Sequence, residues 1–273
     1  DGPALRALTL LRWSRSTRFD APLAAAVEAL LRADLAYTLQ HWRDACFDIW
    51  EEEKGLHYYT LRIAAAALEA GAPWLAQHGS EAQARSAREQ VEAIRRSLDD
   101  FWLEDQGHYR SRVLATGQRS AKELDIAVIF AALHGAGSGK AHGVHDPRMH
   151  ATLARLEALF DAAYPINRER PPARAPAMGR YAGDVYYSGG AYYFSTLAAA
   201  EFCFRAAGGE TVSRALVERG NAFLETVRHY TPPSGDLSEQ FDQTTGTQTS
   251  ARQLAWSYAA FISCIAARRA VLE

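Results

Sequence analysis

Four carboxylates fall within six positions in the segment Phe47-Asp48-Ile49-Trp50-Glu51-Glu52-Glu53, with a tryptophan among them. An acidic run is most often a solvated helix start, but Phe47 and Trp50 argue against pure solvation. Aromatic faces beside carboxylates are what a sugar ring needs, a stacking surface plus hydrogen-bond acceptors. Far along the chain, Gly235-Asp236-Leu237-Ser238-Glu239-Gln240-Phe241-Asp242 supplies another carboxylate with an amide beside it. Alone, Glu239 reads as a surface residue. Set on the same face as the first segment, it becomes half of an acid/base pair, and glycoside hydrolysis needs two carboxyl groups flanking the bond, one protonated and one ionised. A third segment, Gly179 to Tyr193, holds five tyrosines (Tyr181, Tyr186, Tyr187, Tyr192 and Tyr193) with Arg180 and Asp184. It reads as a carbohydrate lining or as a Tyr-rich packing seam, and Arg180 is expected to offer a two-pronged fork to sugar hydroxyls.

The elements that must position these residues are helical. Ala, Leu, Arg and Glu dominate, apolar residues recur at helical spacing, and alternating Val/Ile/Thr runs are nearly missing. Pro3, Pro22, Pro73, Pro147 and Pro165 stand where a helix would begin or has just ended, where a missing N–H costs little. Asp1, Asp20, Ser80 and Asp146 are the matching N-cap candidates. The pattern predicts helices over 2–15, 21–42, 57–71, 80–104, 122–135, 147–164, 190–208, 211–230 and 250–271. Trp256, at an apolar position of the last, is expected to be buried. The links after the second, fourth, sixth and eighth helices are long (43–56, 105–121, 165–189 and 231–249). If neighbouring helices alternate in direction, all four emerge on one face, which is how a helical scaffold builds a cleft. No fixed-period repeat is present, so a closed helical toroid is expected rather than an open solenoid.

The remaining composition mainly excludes. The 273 residues are 48% hydrophobic with a formal net charge of -2, which leaves no electrostatic case for nucleic acid or an anionic membrane. No apolar run approaches the roughly 18 residues that span a bilayer. Three cysteines (Cys46, Cys203 and Cys264) permit one disulfide at most. Gly135-Ala136-Gly137-Ser138-Gly139-Lys140 looks like a phosphate loop but has His134 at the first glycine position, Ala141 in place of Ser/Thr and no preceding strand. His142, His145 and His150 fit no standard zinc spacing, and no Gly-x-Ser-x-Gly elbow is present. No metal or cofactor is called for.

Taken together, Asp1-Gly2-Pro3-Ala4-Leu5-Arg6-Ala7, Phe47-Asp48-Ile49-Trp50-Glu51-Glu52, Gly179-Arg180-Tyr181 through Asp184-Val185-Tyr186-Tyr187, Leu237-Ser238-Glu239-Gln240-Phe241 and Ser250-Ala251-Arg252-Gln253-Leu254-Ala255-Trp256-Ser257-Tyr258-Ala259 resemble the glucoamylases of glycoside hydrolase family 15, in the family's order and across the whole chain. The resemblance implies an all-α fold, an (α/α)6 barrel, with residues 1–273 forming the C-terminal larger part of one catalytic domain. It implies an inverting exo-hydrolase that releases glucose from the non-reducing ends of α-1,4-linked, and more slowly α-1,6-linked, glucans. Glu51 then matches the general acid and Glu239 the general base. Glu52 and Arg180 match residues that bond the terminal sugar, Asp48, Trp50 and Asp184 match cleft residues, and Tyr186 an aromatic lining. Gln240 is counted with them as the amide beside the base. Tyr192 stands where the family usually has Trp, and Gly183 where a carboxylate is common.

Family members also carry a helical segment ahead of the Asp-Gly-Pro-Ala-Leu-Arg-Ala motif, with a Trp-Thr-Arg-Asp stretch that this sequence lacks. Nine helices against twelve point the same way: part of the barrel, incomplete at its N-terminal end, belongs to a preceding segment of the same polypeptide. Family habit implies a secreted or periplasmic location. Hydrolysis of α-1,6-linked dextran or of trehalose, and a carbohydrate-binding relative without catalysis, stay open as alternatives. Inversion calls for roughly 6.5–9.5 Å between the two carboxyl groups, room for one water.

Overall fold

The computed structural model describes residues 1–17, 19–137, 141–209 and 211–273. Among them are nine α-helices: α1 (Gly2–Ser16), α2 (Ala21–His41), α3 (Tyr58–His78), α4 (Glu81–Asp99), α5 (Ala127–His134), α6 (Pro147–Ala163), α7 (Tyr193–Ala207), α8 (Arg214–Tyr230) and α9 (Ala255–Leu272). Their starts follow the expected chemistry. Asp20 accepts from Leu23 N at 3.0 Å and Asp146 from Arg148 N at 2.8 Å. Ser80 and Gln83 form a reciprocal capping box. Asp1 caps α1 by position only, without a side-chain bond.

Pro73 departs from expectation. It lies inside α3, which runs on to His78. Its side is solvent-exposed, so water can satisfy the carbonyl that loses its N–H partner. In the other direction, α4 stops at Asp99 because a hairpin begins at Trp102, and α5 starts only at Ala127 because the preceding residues are held in the loop face.

The odd-numbered helices form an inner series in which each packs on the next, α1 on α3, α3 on α5, α5 on α7 and α7 on α9. The even-numbered helices lie outside, α2 against α1 and α3, α4 against α3, α6 against α5 and α8 against α7. Burial follows that division. Nearly all of α5 and α7 is buried, whereas α4 and α8 are strongly amphipathic. At the α7–α8 contact, Gly220 lets the two backbones approach closely: a Cβ there would meet the fully buried ring of Phe204 at 2.7 Å.

Eight short strands occur in the described loops: β1 (Cys46–Phe47), β2 (Lys54–His57), β3 (Trp102–Leu103), β4 (His108–Tyr109), β5 (Arg112–Leu114), β6 (Ala191–Tyr192), β7 (Gln240–Phe241) and β8 (Gln248–Thr249). All follow even-numbered helices. β1-β2-β5 joins the first two long loops, β6-β7-β8 joins the last two, and a bridge between Asp125 and Tyr181 ties the pairs together. All four long loops therefore share one face.

The inner series is open between its ends. A cavity of about 670 Å³ separates α1 (Leu5, Leu8, Arg12) from α9 (Trp256, Ala260, Ser263). α9 is as apolar in sequence as α7, yet only Ser257 and Cys264 of it are buried, and Phe261 and Ile262 are 42% and 68% exposed. Trp256 is accordingly half-buried rather than buried. One face stacks on Phe194 at 4.1 Å between ring centroids, and the residue also borders the cavity.

Gly220→Ala tests the helix packing, because helix propensity and packing oppose each other there. Propensity alone would favour Ala by about 1 kcal/mol, while overpacking against an immobile ring costs about 1–3 kcal/mol. The expected result is a lower thermal midpoint; a higher one would show that α8 does not sit this close to Phe204.

Candidate active site

The acidic loop is folded around one side chain. Asp48 Oδ1 accepts from the backbone N–H groups of Trp50 (3.1 Å) and Glu52 (2.9 Å), and Glu51 N donates to Asp48 O at 3.0 Å. The turn leaves Glu51 at its apex with φ 59°, a left-handed conformation that costs a non-glycine residue about 1–2 kcal/mol. Glu51 is exposed and borders the cavity between α1 and α9. Trp50, behind it, stacks against Phe194 and Trp256 and donates its indole N–H to Asp125 at 2.9 Å.

Beside that loop lies Arg180, 5% exposed. Within the protein, two of its nitrogens are already engaged. Asp184 accepts from both, Nε to Oδ2 at 2.7 Å and Nη2 to Oδ1 at 2.6 Å, and Nη2 also reaches Glu52 Oε1 at 3.1 Å. Burial opposes the guanidinium charge, but Asp184 and the surrounding hydroxyls hold it protonated more firmly than an ordinary arginine. The rings of Trp50, Tyr181, Tyr186 and Tyr192 lie 5.0–5.4 Å from it, within cation–π range. Partial burial alone would raise the Glu52 carboxyl, yet Lys122, the Tyr181 hydroxyl and Arg180 together keep it below the usual range. Glu52 is therefore an ionised acceptor, with Lys122 Nζ at 2.6 Å.

Glu239 comes from the opposite loop. Its N–H donates to Ala251 O at 2.7 Å, its carboxylate accepts from Ser250 Oγ, and its carbonyl accepts from Tyr193 N at the start of α7. Next to it, Gln240 is fully buried. It donates to Tyr192 Oη at 2.8 Å and to Tyr186 O at 3.2 Å, and Tyr192 Oη donates to Asp184 Oδ2 at 3.1 Å. A continuous chain of bonds thus runs Gln240–Tyr192–Asp184–Arg180–Glu52, from the residue after Glu239 to the residue after Glu51. Gln240 and Tyr192, 0% and 1% exposed, are buried, whereas Tyr186, 45% exposed, and Tyr187, 67%, open to solvent. The Tyr-rich segment is thus partly a packing seam and partly exposed.

Arg112, Lys122 and Asp125 escaped sequence reading, and Ser250, though part of the Ser250-Ala251-Arg252 stretch, was given no role there. Only tertiary contacts bring them to these loops. Asp125 is fully buried, which raises its carboxyl to about 6 against the pull of Arg112. Elsewhere, His142 pairs its Nδ1 with the Tyr58 hydroxyl at 2.8 Å and His150 its Nε2 with Val144 O at 2.8 Å. Of the phosphate-loop-like stretch, Ser138, Gly139 and Lys140 lie outside the described residues. All three cysteines are free.

The sequence matches the family described as Glycosyl hydrolases family 15 over residues 1–211 and 207–266. The chain belongs to that family. It is 31% identical over 99% of its length to a glucoamylase of Neurospora crassa, covering 49% of that protein. To Glucoamylase 1 of Rhizopus oryzae it is 28% identical over 96%, covering 51%. Its structure superposes on a family 15 glucoamylase of Hypocrea jecorina with a TM-score of 0.89 and 26% identity, over 99% of this chain and 52% of that one. The architecture is accordingly that of the (α/α)6 barrel, and the chain spans about half the length of these relatives.

The cavity edge also carries a pH expectation. Burial, with the positive charges of Arg205 and Arg12, lowers the His134 imidazole to about 4. The unfolded chain therefore binds more protons between that value and the ordinary 6.5, so the neutral histidine's contribution is complete above about 6.5 and is lost as pH falls towards 4. Denaturant midpoints at pH 7 and pH 5 should differ less in His134→Gln than in wild type. An identical difference would show that His134 does not titrate in this way.

Proposed function

We propose that residues 1–273 form the C-terminal larger part of a single catalytic barrel of an inverting, exo-acting glucan hydrolase. The enzyme releases β-D-glucose from the non-reducing ends of α-1,4-linked glucans. What supports the reading is the bond chain Gln240–Tyr192–Asp184–Arg180–Glu52, which ties the Glu51 loop to the Glu239 loop on one face. That the matched relatives are named glucoamylases supports the substrate class.

In this mechanism Glu51 carries a proton and delivers it to the glycosidic oxygen, so that the leaving sugar departs as an alcohol. Glu239, ionised and held by Ser250, removes a proton from the water that attacks the anomeric carbon from the opposite side. Glu52 and Arg180 hydrogen-bond the terminal glucose, while Trp50 and Tyr186 offer it apolar faces. Asp48, Asp184, Tyr192 and Gln240 support them. A segment of the same polypeptide N-terminal to Asp1 would close the inner ring between α1 and α9 and add the outer helices that a barrel of twelve requires. A secreted or periplasmic location fits a polymeric substrate too large to cross a membrane.

Leaving-group chemistry separates the two roles. An α-glucosyl fluoride needs little protonation but still needs an activated water. In the full-length enzyme, Glu51→Gln should nearly abolish maltose hydrolysis and keep much of the activity on the fluoride. Glu239→Gln should lose both, by about 10²–10⁴-fold. The measurement is kcat for each variant on each substrate, with the anomer of the released glucose read by polarimetry. Rescue of Glu239→Gln instead would exchange the roles, and indifference to both changes would remove the glycosidase reading. Wild-type rates on dextran and trehalose in the same assay decide the linkage.

A further inference from the structure

We propose that Arg112 is a positioning residue for protonation of the leaving group: it aims Glu51 without touching substrate. The inference rests on the reading of Glu51 as the general acid.

Arg112 lies on β5, paired with His57 of β2, and its side chain is 1% exposed. Three carboxylates converge on this one guanidinium. Nη1 bonds Asp48 Oδ2 at 2.5 Å and Glu53 Oε2 at 2.9 Å, and Nη2 bonds Asp125 Oδ2. Nε is occupied by Ser111 Oγ at 2.9 Å. Asp48 and Glu53 are the two ends of the acid loop, and they also close it through Asp48 N to Glu53 O at 3.2 Å. Asp48's other oxygen holds the turn through Trp50 N and Glu52 N. Asp125 anchors the third side: it accepts the Trp50 indole N–H and, with its second oxygen, Ala127 N at the start of α5.

The arrangement fixes the residues on both sides of Glu51 to an inner helix, through one buried cation. Glu51 holds a left-handed backbone conformation that survives only where the surroundings over-determine it. Without the guanidinium, the buried Asp48 and Asp125 and the partly exposed Glu53 would face one another with no cation between them. The loop would open, and Glu51 would relax away from the glycosidic oxygen. Lysine is no substitute, because a single ammonium cannot span the three acceptors that the planar fork reaches.

The test is Arg112→Lys in the full-length enzyme, with Glu51→Gln alongside and circular dichroism to verify folding. The expected result is a fall in kcat on maltose of at least about tenfold with KM nearly unchanged, and retained activity on α-glucosyl fluoride. That is the leaving-group signature of a misplaced acid. A wild-type rate on maltose, or an equal loss on both substrates by a folded variant, overturns the role of Arg112. If Glu51→Gln itself loses both substrates alike, it is the reading of Glu51 that fails, and this inference goes with it. Should Arg112→Lys not fold, Glu53→Gln decides. It removes one partner at a partly exposed site, and it should show the same split between substrates; an unchanged maltose rate or an equal loss on both refutes the proposal.

Discussion

A guanidinium taken out of water must be surrounded by acceptors, and the loop face of this molecule is organised around that demand. Arg180 is buried, Asp184 accepts from its Nε and Nη2, and Nη2 also reaches Glu52 and the Tyr181 hydroxyl. Because Asp184 also accepts from Tyr192, and Tyr192 from Gln240, satisfying one cation aligns three loops from distant parts of the chain. The same arginine is ringed by four aromatic side chains, so the geometry that meets its electrostatic need also makes a wall suited to a sugar ring.

Arg112 has a parallel role, set a layer deeper. Its carboxylate partners come from the loops after α2 and α4, and two of them, Asp48 and Glu53, are the ends of the acidic loop. Buried ion pairs often contribute little net stability against apolar replacements. Here two such clusters sit under the loop face while the helical layers beneath are packed with Ala, Leu and Phe. That distribution is what one expects where charges are kept for orientation and the hydrophobic layers supply stability.

The open side of the inner ring is the other governing constraint. A helix that reads as apolar as α7 would ordinarily bury more than two residues, and α9 is left in that condition beside a cavity. Glu51 and Trp256 both border the space. The open side of the inner series and the exposed side of the acidic loop are therefore the same place in the fold.

The sequence by itself determined the helical class, the number and order of the helices, with ends that differ by up to seven residues, and the one-sided placement of the long loops. Each of these rests on local physics: 3.6-residue periodicity, N-caps at Asp20, Ser80 and Asp146, and prolines at helix starts. It also marked Glu51, Glu239, Arg180 and their neighbours, because clustered carboxylates with aromatics are unusual at short range. Only the tertiary structure decided that Arg180 donates to Asp184, that Gln240 and Tyr192 are buried, and that Arg112, Asp125, Lys122 and Ser250 bond to the residues the sequence had marked or to their neighbours. It alone showed Pro73 inside a helix and Trp256 half-uncovered. Those outcomes depend on what faces a residue across the fold, through burial and hydrogen bonds between segments far apart in the chain, and no local pattern records what will stand opposite.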